Sequence, residues 1–235
     1  LTESLVEMSQ RVGAFQRGSV PDEDVFEIAP AVTAKVAAVT GELLPFYGST
    51  VVHYLNAGTC DLLTAVADDL YAACGDGLAA PLPPDSLHVT LHDLRASPHL
   101  EDIADAVFLD DPRTGALVAE ARALGPVDMR FTTVFNMVNT SVVVGLLPAS
   151  EADCARLLAA RALLDEIVPS GPFTPHVTLA YYRPAAAAPV DPRHLAETLD
   201  RLTERVAERP VTLAPERLRS THFSTMATFW DAGPA

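Results

Sequence analysis

The sequence predicts an α+β fold, and three observations lead there. Strand-like and helix-like segments alternate, with one hairpin in the middle. A strand–helix–strand pattern occurs twice, over residues 49–94 and 140–182. The same four residues, His-Val-Thr-Leu, recur in the second strand of each unit.

The N-terminal stretch to about Leu44 reads as helix: Leu5, Met8, Val12 and Phe15 recur at helical spacing, and a second apolar pattern runs from Val25 to Val39. Gly18–Asp22 is the turn between them. Thr50–Leu55 is β-branched and apolar, which predicts a buried strand. Thr59 or Asp61 is the expected cap of a helix over Leu62–Ala73, and a Gly/Pro loop and a strand over Ser86–His92 follow. Residues 101–123 look helical, with an expected interruption at Pro112–Gly115. Met129–Val138 and Thr140–Leu147 form the hairpin around Asn139. Ser150 heads a helix to about Ile167, and Pro175–Tyr182 is the next strand. A Pro/Ala linker at Arg183–Pro189, a helix over 191–208, and strands at Val211–Leu213 and His222–Phe229 complete the chain.

The 235 residues, 49% hydrophobic and 20% charged, suit a globular protein with a sizeable core. No apolar run reaches the roughly 18–20 residues of a membrane helix, and the first residues lack the pattern of a signal peptide. A cytoplasmic location is the expectation. The formal net charge is −15, which disfavours duplex DNA and anionic membrane as partners. Lys35 is the only lysine, so a bound phosphate would be small and held by a few specific donors. Cys60, Cys74 and Cys154 are widely spaced and show no zinc pattern.

The chemistry lies in the repeated tetrad, His88-Val89-Thr90-Leu91 and His176-Val177-Thr178-Leu179, 88 residues apart. A histidine with Ser or Thr two places on is cheap, since about one arises by chance among seven histidines. His222-Phe223-Ser224 is such a decoy. An identical tetrad at matching points of a repeated unit is far rarer. Strand alternation puts His88, Thr90 and His92 on one face and Leu87, Val89 and Leu91 on the other. The second copy sets His176, Thr178 and Tyr182 against Val177, Leu179 and Tyr181. If the copies pack as pseudo-symmetric halves, two imidazole–hydroxyl faces meet across a cleft.

Such a pair suits phosphodiester cleavage. A neutral imidazole takes a proton while a charged one protonates the departing oxygen. The threonines donate to phosphoryl oxygens as charge builds there. These residues resemble the two H-x-[ST] motifs of the 2H phosphoesterases, the superfamily of LigT-like 2′,5′ RNA ligases and cyclic phosphodiesterases. Phe46–Val52, Leu82–His88 and His176–Tyr181 are also similar to a bacterial subgroup of that superfamily. The resemblance implies a bilobal α+β fold with a cleft between two antiparallel sheets and helices outside. It covers residues 46–183 and extends plausibly to 230, so residues 46–235 are expected as one bilobal domain and 1–45 as an N-terminal helical extension. It implies metal-independent hydrolysis of a cyclic, 2′,3′-type or 2′–5′ phosphodiester of a small nucleotide or RNA end. His88 and His176 would be catalytic, Thr90 and Thr178 would bind phosphate, and no cofactor is called for. A non-catalytic nucleotide- or RNA-end-binding module and a 2′–5′ RNA ligase are the alternatives.

Four further residues could contact substrate. His92 shares the predicted face of His88 but could equally be a hydrogen-bonded bystander, and on a strand His88 and His92 stand about 13 Å apart, too far for a metal pair. Tyr182 could stack on a base or simply pack. Arg130 could neutralise a phosphate or be a solvated surface residue. His53 could reach the cleft from a neighbouring strand.

Overall fold

The computed structural model describes residues 3–22, 25–188 and 190–233; Pro189, the end of the expected linker, and the first two residues fall outside them. The elements are α1 (Leu5–Gln16), β1 (Tyr47–Tyr54), α2 (Ala57–Cys74), β2 (His88–Ser97), α3 (Ala104–Ala123), β3 (Val127–Met137) and β4 (Ser141–Pro148). There follow α4 (Glu151–Leu163), β5 (His176–Tyr181), α5 (Pro192–Val206), β6 (Pro210–Leu213), β7 (Leu218–Thr225) and β8 (Thr228–Asp231).

Local chemistry sets several of these bounds. Ser4 caps α1 in a reciprocal pair with Glu7, and Ser150 caps α4 by accepting from the Asp153 N–H. Asn56 caps α2, ahead of the expected Thr59 or Asp61, because its side chain accepts from the Thr59 N–H. The expected helix over Val25–Val39 is only a single 3₁₀ turn at Pro30–Ala34. Pro30 disfavours the helical region for the residue before it, and Ala29 is extended at ψ 132°. Pro112 does not interrupt α3: it lies on an exposed side, beside the 78%-exposed Phe108, where water can satisfy the carbonyl it leaves unpaired. The expected final strand over His222–Phe229 is instead a hairpin, β7 and β8, turning at Met226–Ala227.

Two four-stranded antiparallel sheets result, in the orders β2-β1-β7-β8 and β5-β4-β3-β6. The orders correspond place for place. β1-α2-β2 and β4-α4-β5 are equivalent units, so the fold is pseudo-symmetric as the repeat predicts. The third strand of each sheet arrives from the other half of the chain: α3 leads over to β3, and α5 with β6 leads back to β7. One continuous apolar cluster spans both halves, from Val51, Leu63 and Leu91 to Val142, Leu157 and Leu179. Among the described residues no helix is long and apolar enough to cross a membrane.

Each tetrad begins an edge strand, β2 or β5, and β2 continues past its tetrad to Ser97. These two edge strands lie against one another. That seam brings together residues 88 positions apart.

Candidate active site

A cavity of about 390 Å³ takes its walls from both sheets, and His88, Thr90, His176 and Thr178 all line it. All four side chains are half-buried, whereas Val89, Val177, Leu91 and Leu179 are in the core. Alternation along each strand therefore supplies an apolar anchor and a polar working face.

The two imidazoles are held in the same way. Nδ1 of His88 donates to the Ser86 carbonyl at 2.6 Å, and Nδ1 of His176 donates to the Thr174 carbonyl at 2.8 Å. A carbonyl can only accept, so Nδ1 carries the proton in both rings and Nε2 holds the lone pair when the ring is neutral. Phe229 meets the His88 ring edge-on at 4.9 Å. The loop that holds His176 is braced from α1, where Arg11 donates to the Phe173 carbonyl at 2.6 Å and to Thr174 Oγ1 at 3.4 Å.

Burial is the main cause that lowers both histidines from their usual pKa. The Ser86 and Thr174 carbonyls and the charge of Asp93 oppose the shift, while the charge of His176 depresses His88 further. Each ring thus feels the common charge of Asp93, and His88 feels the other imidazole.

Beyond the threonines the predicted alternation fails, in both copies at the same point. The β1–β2 register shifts between Val51 and Val52, and the β4–β5 register between Val142 and Val143. The extra residues are Leu91 and Leu179, the last of each tetrad, and each bulge turns over the residues that follow it, in β2 as far as a second shift at Leu94. Consequently Asp93 and Tyr181, at equivalent positions, line the cavity. Arg161 of α4 donates to the carbonyl of Leu91, tying the second half of the molecule to the bulge in the first.

The bulges correct two expectations. His92 faces away from the cavity, 1% exposed, with Nδ1 donating to the Asp93 carbonyl and Nε2 3.3 Å from Asp165 Oδ1. Tyr182 is in the core beneath Phe26, and Tyr181 takes the place expected of it. His53 also misses the cleft: it pairs with Val89, so it shares that residue's core face. Burial pushes its pKa down to about 4. Arg130 is on β3 in an ion pair with Glu208 at 2.5 Å, clear of the cavity.

Sequence reasoning missed Asp93, Tyr181 and the one lysine, Lys35, which lines the cavity from the segment before β1. Burial raises the Tyr181 phenol to about 12, with Thr178 opposing the shift, so it is neutral at ordinary pH. Among the described residues no group of three or more His, Cys, Asp or Glu is placed to hold a metal ion.

No family model and no curated protein matches this sequence. Solved structures do match in fold. A conserved protein of unknown function, ATU0111 from Agrobacterium tumefaciens, superposes with a TM-score of 0.56 at 18% identity, covering 91% of this chain and 96% of that one. LigT from E. coli is similar in its apo form, at TM-score 0.44 and 15% identity over 80% of this chain and 95% of LigT. Its complex with 3′-AMP gives 0.44 and 14%, over 80% and 96%. At these identities the likeness is one of fold.

Proposed function

We propose that the cavity is the active site of a metal-independent 2H phosphodiesterase acting on a cyclic, 2′,3′-type or 2′–5′ phosphodiester of a small nucleotide or RNA end. In this reading residues 46–235 are the bilobal catalytic domain and residues 1–45 an extension that braces it. The observation that carries the reading is the matched pair of histidines. Two imidazoles from opposite halves line one cavity, each with Nδ1 committed to a carbonyl two residues upstream and Nε2 left for proton transfer.

The reaction balances on these groups. One neutral Nε2 takes a proton from water as the water oxygen bonds to phosphorus. The other, protonated, gives its proton to the ribose oxygen as the P–O bond breaks. Thr90 and Thr178 donate to the non-bridging oxygens, where negative charge grows. The protons left on one ring and missing from the other exchange with solvent. Because burial keeps both rings mostly neutral, the acid acquires its proton when the phosphodiester anion enters beside it.

Asp93 supports that protonation, which sets a pH prediction. Its charge raises both histidines, so Asp93→Asn lowers both further. The limb set by protonation of the base and the limb set by deprotonation of the acid both move to lower pH. A pH–kcat/KM profile checks this: the expected bell is displaced to the acid side, and a displacement to the alkaline side contradicts it.

The test of function is hydrolysis of 2′,3′-cyclic nucleotides with EDTA present. Turnover that persists in chelator is expected, and turnover that vanishes with it overturns the metal-independent reading. Tight nucleotide binding with no product after long incubation identifies a binding module instead.

A further inference from the structure

Lys35 is bound into the fold but not to a counter-charge. Its backbone N–H donates to the Val32 carbonyl at 2.8 Å, and its carbonyl accepts from the Leu44 N–H at 2.8 Å. Its side chain reaches into the cavity, with Nζ 4.9 Å from the ring centre of Phe46 and 5.8 Å from that of Tyr181. Among the described residues no carboxylate lies within ion-pair distance of it, and no other Lys or Arg lines the cavity. Asp93 acts on it only at longer range. Two aromatic faces compensate a desolvated ammonium in part. An anion is the missing partner.

The place of Lys35 in the cavity separates it from the tetrads. Phe46 precedes the end of β1 at Tyr47, which pairs with Ser97, whereas Tyr54 at the other end pairs with His88. A row of rings lies between: Phe46 stacks on Phe223 at 6.2 Å, Phe223 meets Phe229 at 5.4 Å, and Phe229 meets His88 at 4.9 Å. On β5, Tyr181 pairs with Ser141 and Thr178 with Val143, two ladder positions apart, about 7 Å. The ammonium is therefore displaced toward one end of the cleft from the pair of histidines.

We infer that Lys35 is a specificity-determining residue that receives a second anionic group, a phosphate monoester, on the same substrate that presents its phosphodiester to His88 and His176. The inference rests on the phosphodiesterase reading and narrows its substrate class to cyclic phosphodiesters carrying a further phosphate. The surface argues against a trivial origin for such a preference. A formal charge of −15 repels a more highly charged ligand, so any gain from the added phosphate needs a local cation.

Binding and turnover separate the two ideas. Calorimetry compares a nucleoside 2′-phosphate with the corresponding 2′,5′-bisphosphate on the parent, Lys35→Met and Lys35→Arg. The parent is expected to prefer the bisphosphate by about ten- to a hundredfold, the range a charge-assisted hydrogen bond supplies. Lys35→Met brings that ratio near one, and Lys35→Arg keeps part of it. A ratio measured on one preparation does not depend on the folded fraction. Equal affinities in the parent, a preference that survives Lys35→Met, or an equal loss for both ligands overturns the inference. Turnover of a 2′,3′-cyclic nucleotide with and without a 5′-phosphate judges the parent reading separately. If neither ester is hydrolysed while the binding preference holds, the hydrolase reading falls and the role of Lys35 stands.

Discussion

His88→Ala and His176→Ala are each expected to lower kcat/KM for a 2′,3′-cyclic nucleotide by about 10²–10⁴, the usual contribution of a positioned acid or base. Both rings are half-buried at the cavity wall, so truncation opens space there without removing a core residue. Unfolding midpoints near that of the parent are expected to accompany the loss. The double variant should lose little more than the worse single one, because the two rings act in one proton-transfer sequence and their effects do not add. Steady-state kinetics on the three variants checks this. Undiminished hydrolysis in either single variant removes the basis for two-histidine chemistry.

Thr90→Val and Thr178→Val are expected to cost about 10²–10³ each, carried by kcat with KM nearly constant. Valine keeps the branched shape that suits a strand and deletes only the hydroxyl. A donor aimed at charge that grows in the transition state contributes little to ground-state binding. The two sites need not be equal. Tyr181 lines the cavity with Thr178, whereas Asp93 occupies the equivalent position in the first copy. Tyr181→Phe is the natural control, since it removes the neighbouring phenol and leaves the Thr178 hydroxyl in place. A loss that falls on KM alone contradicts transition-state stabilisation by the hydroxyls.

Much of this architecture is legible in the residues. Strand alternation correctly faces His88 and Thr90 against Val89, and the repeated tetrad correctly foretells two equivalent halves. Alternation then fails after Leu91 and Leu179, because period-two reasoning assumes an unbroken ladder and a bulge inserts one residue into it. In the second copy a trace is visible: Leu179 and Ala180 are successive apolar residues, and both are buried. In the first copy the same step reads Leu91-His92, and the histidine hides the phase change. Lys35 was illegible for another reason. It reaches the cavity through tertiary packing of a segment that shares no pattern with the repeat, and only its solitude among 16 basic residues sets it apart in the sequence. The segment's predicted helicity also misled, since Pro30 breaks what apolar spacing alone would continue.

The exchange of third strands between the halves bears on how the protein is made. The first sheet has β1 and β2 early in the chain, but it lacks its inner neighbour until residues 218–225 exist. During synthesis, then, Tyr47–Ser97 can emerge from the ribosome only as an unfinished hairpin-like pair, exposing the edge that β7 will cover. The second sheet can assemble from β3 to β6 while translation continues. The cleft becomes whole only when residues 218–225 pair with β1, so a nascent polypeptide that has not reached them has no complete centre to act with and depends on slow, long-range pairing to form it.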